Sequence, residues 1–126
     1  MNDITIKKLL NSYKHEKVLI KSLQKEIERI NALSLTERNL GLLDKLQTNL
    51  NKSMSFIKII EDSIDNLPQP FKNVLYFRYI KDFSYEKISL NMNYSIQRIY
   101  QLHKEGIQRI FKVSEFFSEK ELIREN

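Results

Sequence analysis

The chain has 126 residues, 41% of them hydrophobic and 29% charged, and a net charge of +5, the balance of a soluble protein with one compact domain or a small domain plus a helical appendage. No apolar run approaches the roughly 20 residues of a membrane span. Charges at Lys7, Lys8, Lys14 and Lys17 break any signal-peptide pattern. The lack of cysteine removes disulfides and thiolate metal sites, so a cytoplasmic location is expected. The charge is unevenly spread. Residues 1–66 hold 11 Lys/Arg against 9 Asp/Glu, residues 67–113 hold 8 against 3, and residues 114–126 hold 2 against 4. The positive excess in the middle segment has the form of a nucleic-acid footprint, although a solvated basic surface would look the same.

With two glycines, two prolines and no strand-type alternation, the chain is expected to be all-α. The first segment places Ile6, Leu9, Tyr13, Ile20, Leu23, Ile27 and Ile30 in a 3,4 rhythm. Glu16 interrupts that stripe, and Leu19 beside it is expected to compensate. The helix should end near residues 31–33. Ser34, Leu35, Thr36 and Glu37 then form a capping box, in which hydroxyl and carboxylate satisfy the first free amides of a second helix. That helix repeats the rhythm with Leu43, Leu46, Leu50, Ile57, Ile60, Ile64 and Leu67, with Ser53 at the weak position and Gly41 in its first turns.

Two heptad-patterned helices on a short connection predict a long antiparallel, coiled-coil-like hairpin over residues 1–66, with an intermolecular coiled coil as the competing arrangement. A two-helix hairpin buries little alone. A second chain covering Leu43, Leu46, Leu50, Ile57 and Ile60 would make the arm a dimerisation element and the protein a homodimer. The other possibility is that the hairpin packs on the C-terminal domain of its own chain.

Pro68 and Pro70 mark the boundary of a domain over residues 67–113. Its first helix is predicted over 70–80, with Phe71, Val74, Leu75 and Phe77 among its apolar residues. Lys81, Asp82 and Phe83 connect to a helix over 85–92, which Ser84 caps. Asn93 makes the turn, because asparagine tolerates left-handed backbone. Ser95 caps a third helix, expected over 95–111. Ile88, Met92, Tyr94, Ile99 and Leu102 supply apolar positions on both sides of the turn, and Ser89 is small where two helices cross. These are the constraints of a helix-turn-helix. Gly106 is read as a point of close packing or fraying.

The motifs Leu67-Pro68, Val74-Leu75-Tyr76-Phe77-Arg78-Tyr79, Phe83-Ser84-Tyr85-Glu86-Lys87-Ile88 and Tyr94-Ser95-Ile96-Gln97-Arg98-Ile99-Tyr100-Gln101-Leu102 resemble region four of sigma factors over residues 67–111. A helical arm followed by one such domain is similar to the ArpU and RinA group of phage-encoded late-gene regulators. No recognisable sigma region two accompanies it, which argues against a complete sigma factor. The resemblance implies a transcriptional regulator and makes RNA polymerase a candidate partner. Positions matching Gln97, Arg98 and Gln101 meet DNA in the family. Ile96 and Tyr100 stand where many members carry arginine, a departure that points to a different target, with thymine-methyl contacts among its features.

Geometry turns Ile96, Gln97, Arg98, Tyr100, Gln101 and Lys104 outward while Ile99 and Leu102 face the core. Ser95, Ile96, Gln97, Arg98, Tyr100 and Gln101 are the expected base contacts. Ser84, Lys104, Arg109 and Lys112 are the expected phosphate contacts. No catalytic constellation, cofactor motif, metal-ligand spacing or small-molecule site is read. His15 and His103 are far apart in sequence, and His103 is expected at solvent or phosphate. Tyr76, Phe77 and Tyr79 are read as packing residues rather than an aromatic platform. The acidic segment 114–126 is expected to be a short helix or tail. The resulting expectation is a sequence-specific regulator that binds double-stranded DNA. The alternative is a sigma-like interaction protein that binds polymerase or another regulator instead.

Overall fold

The computed structural model describes residues 3–33 and 36–113, and all of its regular structure there is helical. The expected tail at 114–126 lies outside the described residues. Helices α1 (Asp3–Asn11) and α2 (Tyr13–Asn31) are nearly continuous, parted at Ser12, whose hydroxyl donates back to the Leu9 carbonyl at 2.6 Å. Helix α3 (Glu37–Asp65) returns along α2 as an antiparallel hairpin within one chain. Its N-cap is Thr36, whose Oγ1 accepts from the Asn39 amide at 3.1 Å. The cap therefore sits two residues beyond the expected Ser34, which lies outside the described residues. Thr36 has the extended backbone that places a hydroxyl over the first turn. Gly41 is accommodated inside α3 with open space around it.

The apolar rhythm of both long helices becomes buried surface. Leu23, Ile30 and Leu50 are buried along the arm, and Ser53 is fully enclosed at the stripe's weak position. Glu16 is half-buried, but Leu19 points outward at 42% exposure, so it does not compensate as expected. Near the base of the arm, Tyr13 reaches across to donate its hydroxyl to Glu61 at 2.9 Å.

The C-terminal part begins after Leu67. Helix α4 (Phe71–Leu75) runs into a wider π-helical stretch over Tyr76–Ile80, marked by the Lys81 amide bonding the Tyr76 carbonyl at 3.0 Å. The Gln69–Pro70 bond is cis. Helices α5 (Tyr85–Met92) and α6 (Ile96–Val113) follow.

One core crosses the boundary at Pro68. Ile6, Leu10 and Tyr13 from the first helices and Phe56, Ile57, Ile60 and Ile64 from α3 pack with Leu75, Tyr79, Ile107 and Ile110. Ile57 and Ile60, expected to await a second chain, are therefore buried within their own, and Leu50 is buried further along the arm, at 5%, 4% and 7% exposure. The heptad pattern marked these positions for burial, but it could not say which surface would cover them. Gly106 resolves as close packing: a Cβ there would meet the Leu75 side chain at 3.2 Å, so α6 lies directly on α4.

Candidate nucleic-acid interface

The α5–α6 unit is fixed at three local points. Ser84 Oγ accepts from the Lys87 amide at 3.1 Å and starts α5. Asn93 takes the left-handed conformation, φ 59° and ψ 36°, and ends it. Ser95 Oγ accepts from the Arg98 amide at 3.1 Å and starts α6. The Ser89 hydroxyl adds a latch by donating to the Tyr94 carbonyl across the turn. Small size at Ser89 was legible in the sequence, whereas this bond was not. Beneath the turn, Val74, Ile88, Ile99 and Leu102 are fully enclosed, with Phe71 beside them. Phe77, Phe83, Tyr85 and Met92 cover the rim of this second core. Tyr94, read as part of it, is 41% exposed.

Burial of Ile99, Leu102, Gly106 and Ile110 fixes how α6 is turned. Ser95, Ile96, Gln97, Arg98, Tyr100, Gln101 and Lys104 are all exposed, on the side of its first turns that faces away from that buried line. Gln97, Gln101 and Lys104 recur at 4,3 spacing opposite the buried line, which makes them the outermost row. Ser84 stands exposed at the start of α5. Arg109 is exposed but lies about 20 Å along α6 from Ile96. Its guanidinium rests 4.3 Å from the Phe71 ring centroid, so it is tied to the α4 side. The side chain of Lys112 lies outside the described ones.

Several supporting residues escaped the sequence reading. Arg78 donates to the Phe83 carbonyl at 3.0 Å and lies 4.3 Å from the Tyr85 ring centroid. It thereby holds the connection into α5. Lys87 covers the Phe83 ring at 4.0 Å, and Phe83 stacks on Phe77 at 5.4 Å. Asp82, left-handed at φ 59°, pairs with Lys14 of the arm at 2.7 Å. Both partners are well exposed, so this pair orients more than it stabilises. The only sequence signal for these roles was the place of Arg78 in the Arg78-Tyr79 motif.

His103 is a correction. Expected at solvent or phosphate, it is only 6% exposed, because it falls on the buried side of α6, one residue after Leu102. Tyr79 lies 2.6 Å from its Nε2. Burial pushes the imidazole pKa down to about 4, with Lys7 and Arg78 contributing positive charge, and burial pushes the Tyr79 hydroxyl up. Both shifts keep the pair neutral, joined by one hydrogen bond between the hydroxyl and Nε2. Phe77 and Tyr79 pack as expected, while Tyr76 is 38% exposed. Among the described residues there is no cluster of three or more His, Asp or Glu side chains suited to a metal ion. Nor is any helix there long and apolar enough to cross a membrane.

The family described as Sigma-70, region 4 matches residues 63–112, from the end of α3 through α6. This family is a DNA-binding helix-turn-helix region, and residues 63–112 are similar to it. No curated protein and no solved structure matches the chain.

Proposed function

We propose, from the similarity of residues 63–112 to Sigma-70 region 4, that the protein is a sequence-specific transcriptional regulator reading the major groove with α6. The observation that carries this is the exposed side of α6 formed by Ile96, Gln97, Arg98, Tyr100, Gln101 and Lys104, presented on a capped helix over an apolar core. Arg98 offers the fork geometry for guanine, and Gln97 and Gln101 offer carboxamides for adenine. Lys104, Arg109, Lys112 and the start of α5 at Ser84 are proposed to hold phosphates. Phage-type late-gene control, as in the ArpU and RinA group, is the proposed setting. Its support is the layout of a helical arm on a single region-four-like domain.

The test separates reading from anchoring. Arg98→Ala is expected to cost roughly 1–3 kcal/mol on the specific site and to relax preference at one base pair. Lys104→Ala should weaken all sequences about equally. Identical effects of the two changes on specificity would contradict the assignment of Arg98 as a base reader.

A second copy of the chain is proposed as a partner, since two-fold regulators present two recognition helices to a two-fold operator. With Leu50, Ile57 and Ile60 enclosed, the arm surface left for it includes Leu40 and Met54. These are two heptads apart on one side of α3 and are 52% and 49% exposed. Sedimentation at tens of micromolar should show a dimer that Leu40→Asp/Met54→Asp dissociates. A wild-type monomer under those conditions would remove this part of the reading.

The second functional reading is a sigma-like domain that binds polymerase or another regulator rather than DNA. One observation favours it: Leu90, on the outer side of α5, is 81% exposed.

A further inference from the structure

Two large apolar side chains stand among the polar groups of the exposed α6 surface. Ile96 is 36% exposed and Tyr100 is 49% exposed. They are four residues apart, so they lie one above the other along one edge of the helix. Tyr100 is not loose. Its ring packs on Tyr85 at 4.7 Å between centroids. Tyr85 is itself held by the Arg78 guanidinium at 4.3 Å and by the edge of His103 at 5.6 Å. The protein therefore builds a braced aromatic and a β-branched residue into the first two turns of its recognition helix. Each is followed by a glutamine, Gln97 and Gln101.

Resting on the DNA-binding reading above, we propose that Ile96 and Tyr100 form a methyl-reading edge, so that the protein selects duplex DNA with thymines at the positions they face. The major groove offers one apolar feature, the C5 methyl of thymine. The base paired with that thymine is adenine, whose N6 and N7 match a glutamine carboxamide in two hydrogen bonds. An apolar residue beside a glutamine is thus a matched pair of readers for A·T base pairs, and α6 carries the combination twice. Arg98 is the one arginine in this stretch, so a single guanine is the complement expected beside the A·T run.

The experiment uses the full chain. Binding sites are enriched from a random duplex pool, and each thymine of the enriched site is then replaced singly by deoxyuridine, which lacks only the methyl group. At one or two positions the loss should be about fourfold, the worth of one methyl removed from water. Ile96→Ala should abolish that sensitivity at one position and Tyr100→Ala at another, while Tyr100→Phe, which keeps the ring on Tyr85, retains it. An enriched site that tolerates uracil throughout would overturn the proposal and leave the apolar edge to a protein partner. Uracil sensitivity unchanged in both alanine variants would overturn it as well. If no sequence is enriched and no duplex binds at low salt, the DNA-binding reading beneath the proposal is what fails.

Discussion

Removing residues 1–66 is expected to unfold the helix-turn-helix rather than release it. Leu75, Ile107 and Ile110 belong to the same buried cluster as Ile6, Leu10, Ile57, Ile60 and Ile64. Cutting the arm away returns much of that surface to water. Each fully buried leucine or isoleucine is worth roughly 1.5–3 kcal/mol, and a whole domain is stable by only about 5–15 kcal/mol. The second core, around Val74, Ile88, Ile99 and Leu102, is small and sits on an α6 that would lose its C-terminal support. A fragment starting at Leu67 should therefore show reduced helicity by circular dichroism and no cooperative melt, whereas the full chain melts in one step. A fragment with native helicity and a sharp transition would show that the domain stands alone and that the arm is an appendage.

The second large effect is a dependence of stability on pH set by His103. Its ordinary pKa is near 6.5, and in the folded protein it is pushed down to about 4 by burial. Between those values the unfolded chain binds the proton and the folded chain does not. Stability is therefore complete above about pH 6.5 and falls as the pH drops towards 4. The loss is roughly 3 kcal/mol, at about 1.4 kcal/mol for each unit of difference. Urea melts at pH 7 and pH 4.5 measure it directly. His103→Gln lowers stability at neutral pH but should flatten the slope over this window, because glutamine takes no proton. An equal slope in wild type and variant would mean that the imidazole titrates normally and is not held neutral by its surroundings.

These two effects also mark what the sequence could and could not tell. Features written in a few adjacent residues were legible: the Ser84 and Ser95 caps, the left-handed Asn93, and the helical spacing that buries Ile88, Ile99 and Leu102. The outward set on α6 followed from the same periodicity. Features set by distant partners were not legible. His103 reads as a polar residue on a basic helix, and only its place against Tyr79 and Tyr85 makes it a buried neutral group. Leu50, Ile57 and Ile60 were marked for burial, yet their period says nothing about which chain covers them. The cap of α3 is Thr36, whereas sequence spacing alone favoured Ser34 in a box with Glu37, because two hydroxyl residues lie only two positions apart in the sequence. Arg78 gained its role from a ring seven residues away that the connection folds beneath it.

Whether α6 meets duplex DNA is measured most directly by the affinity of the full chain for duplex DNA as salt is raised. Each phosphate neutralised contributes about −0.9 to the slope of log K against log salt. The cations proposed at phosphates are Lys104, Arg109 and Lys112, which together predict a slope of about −3 or steeper for each bound chain. Binding at low salt that falls away with that slope is the expected result. Absence of binding to random and genomic fragments alike at low salt would contradict it, and would turn the exposed face of α6 into a protein-binding surface.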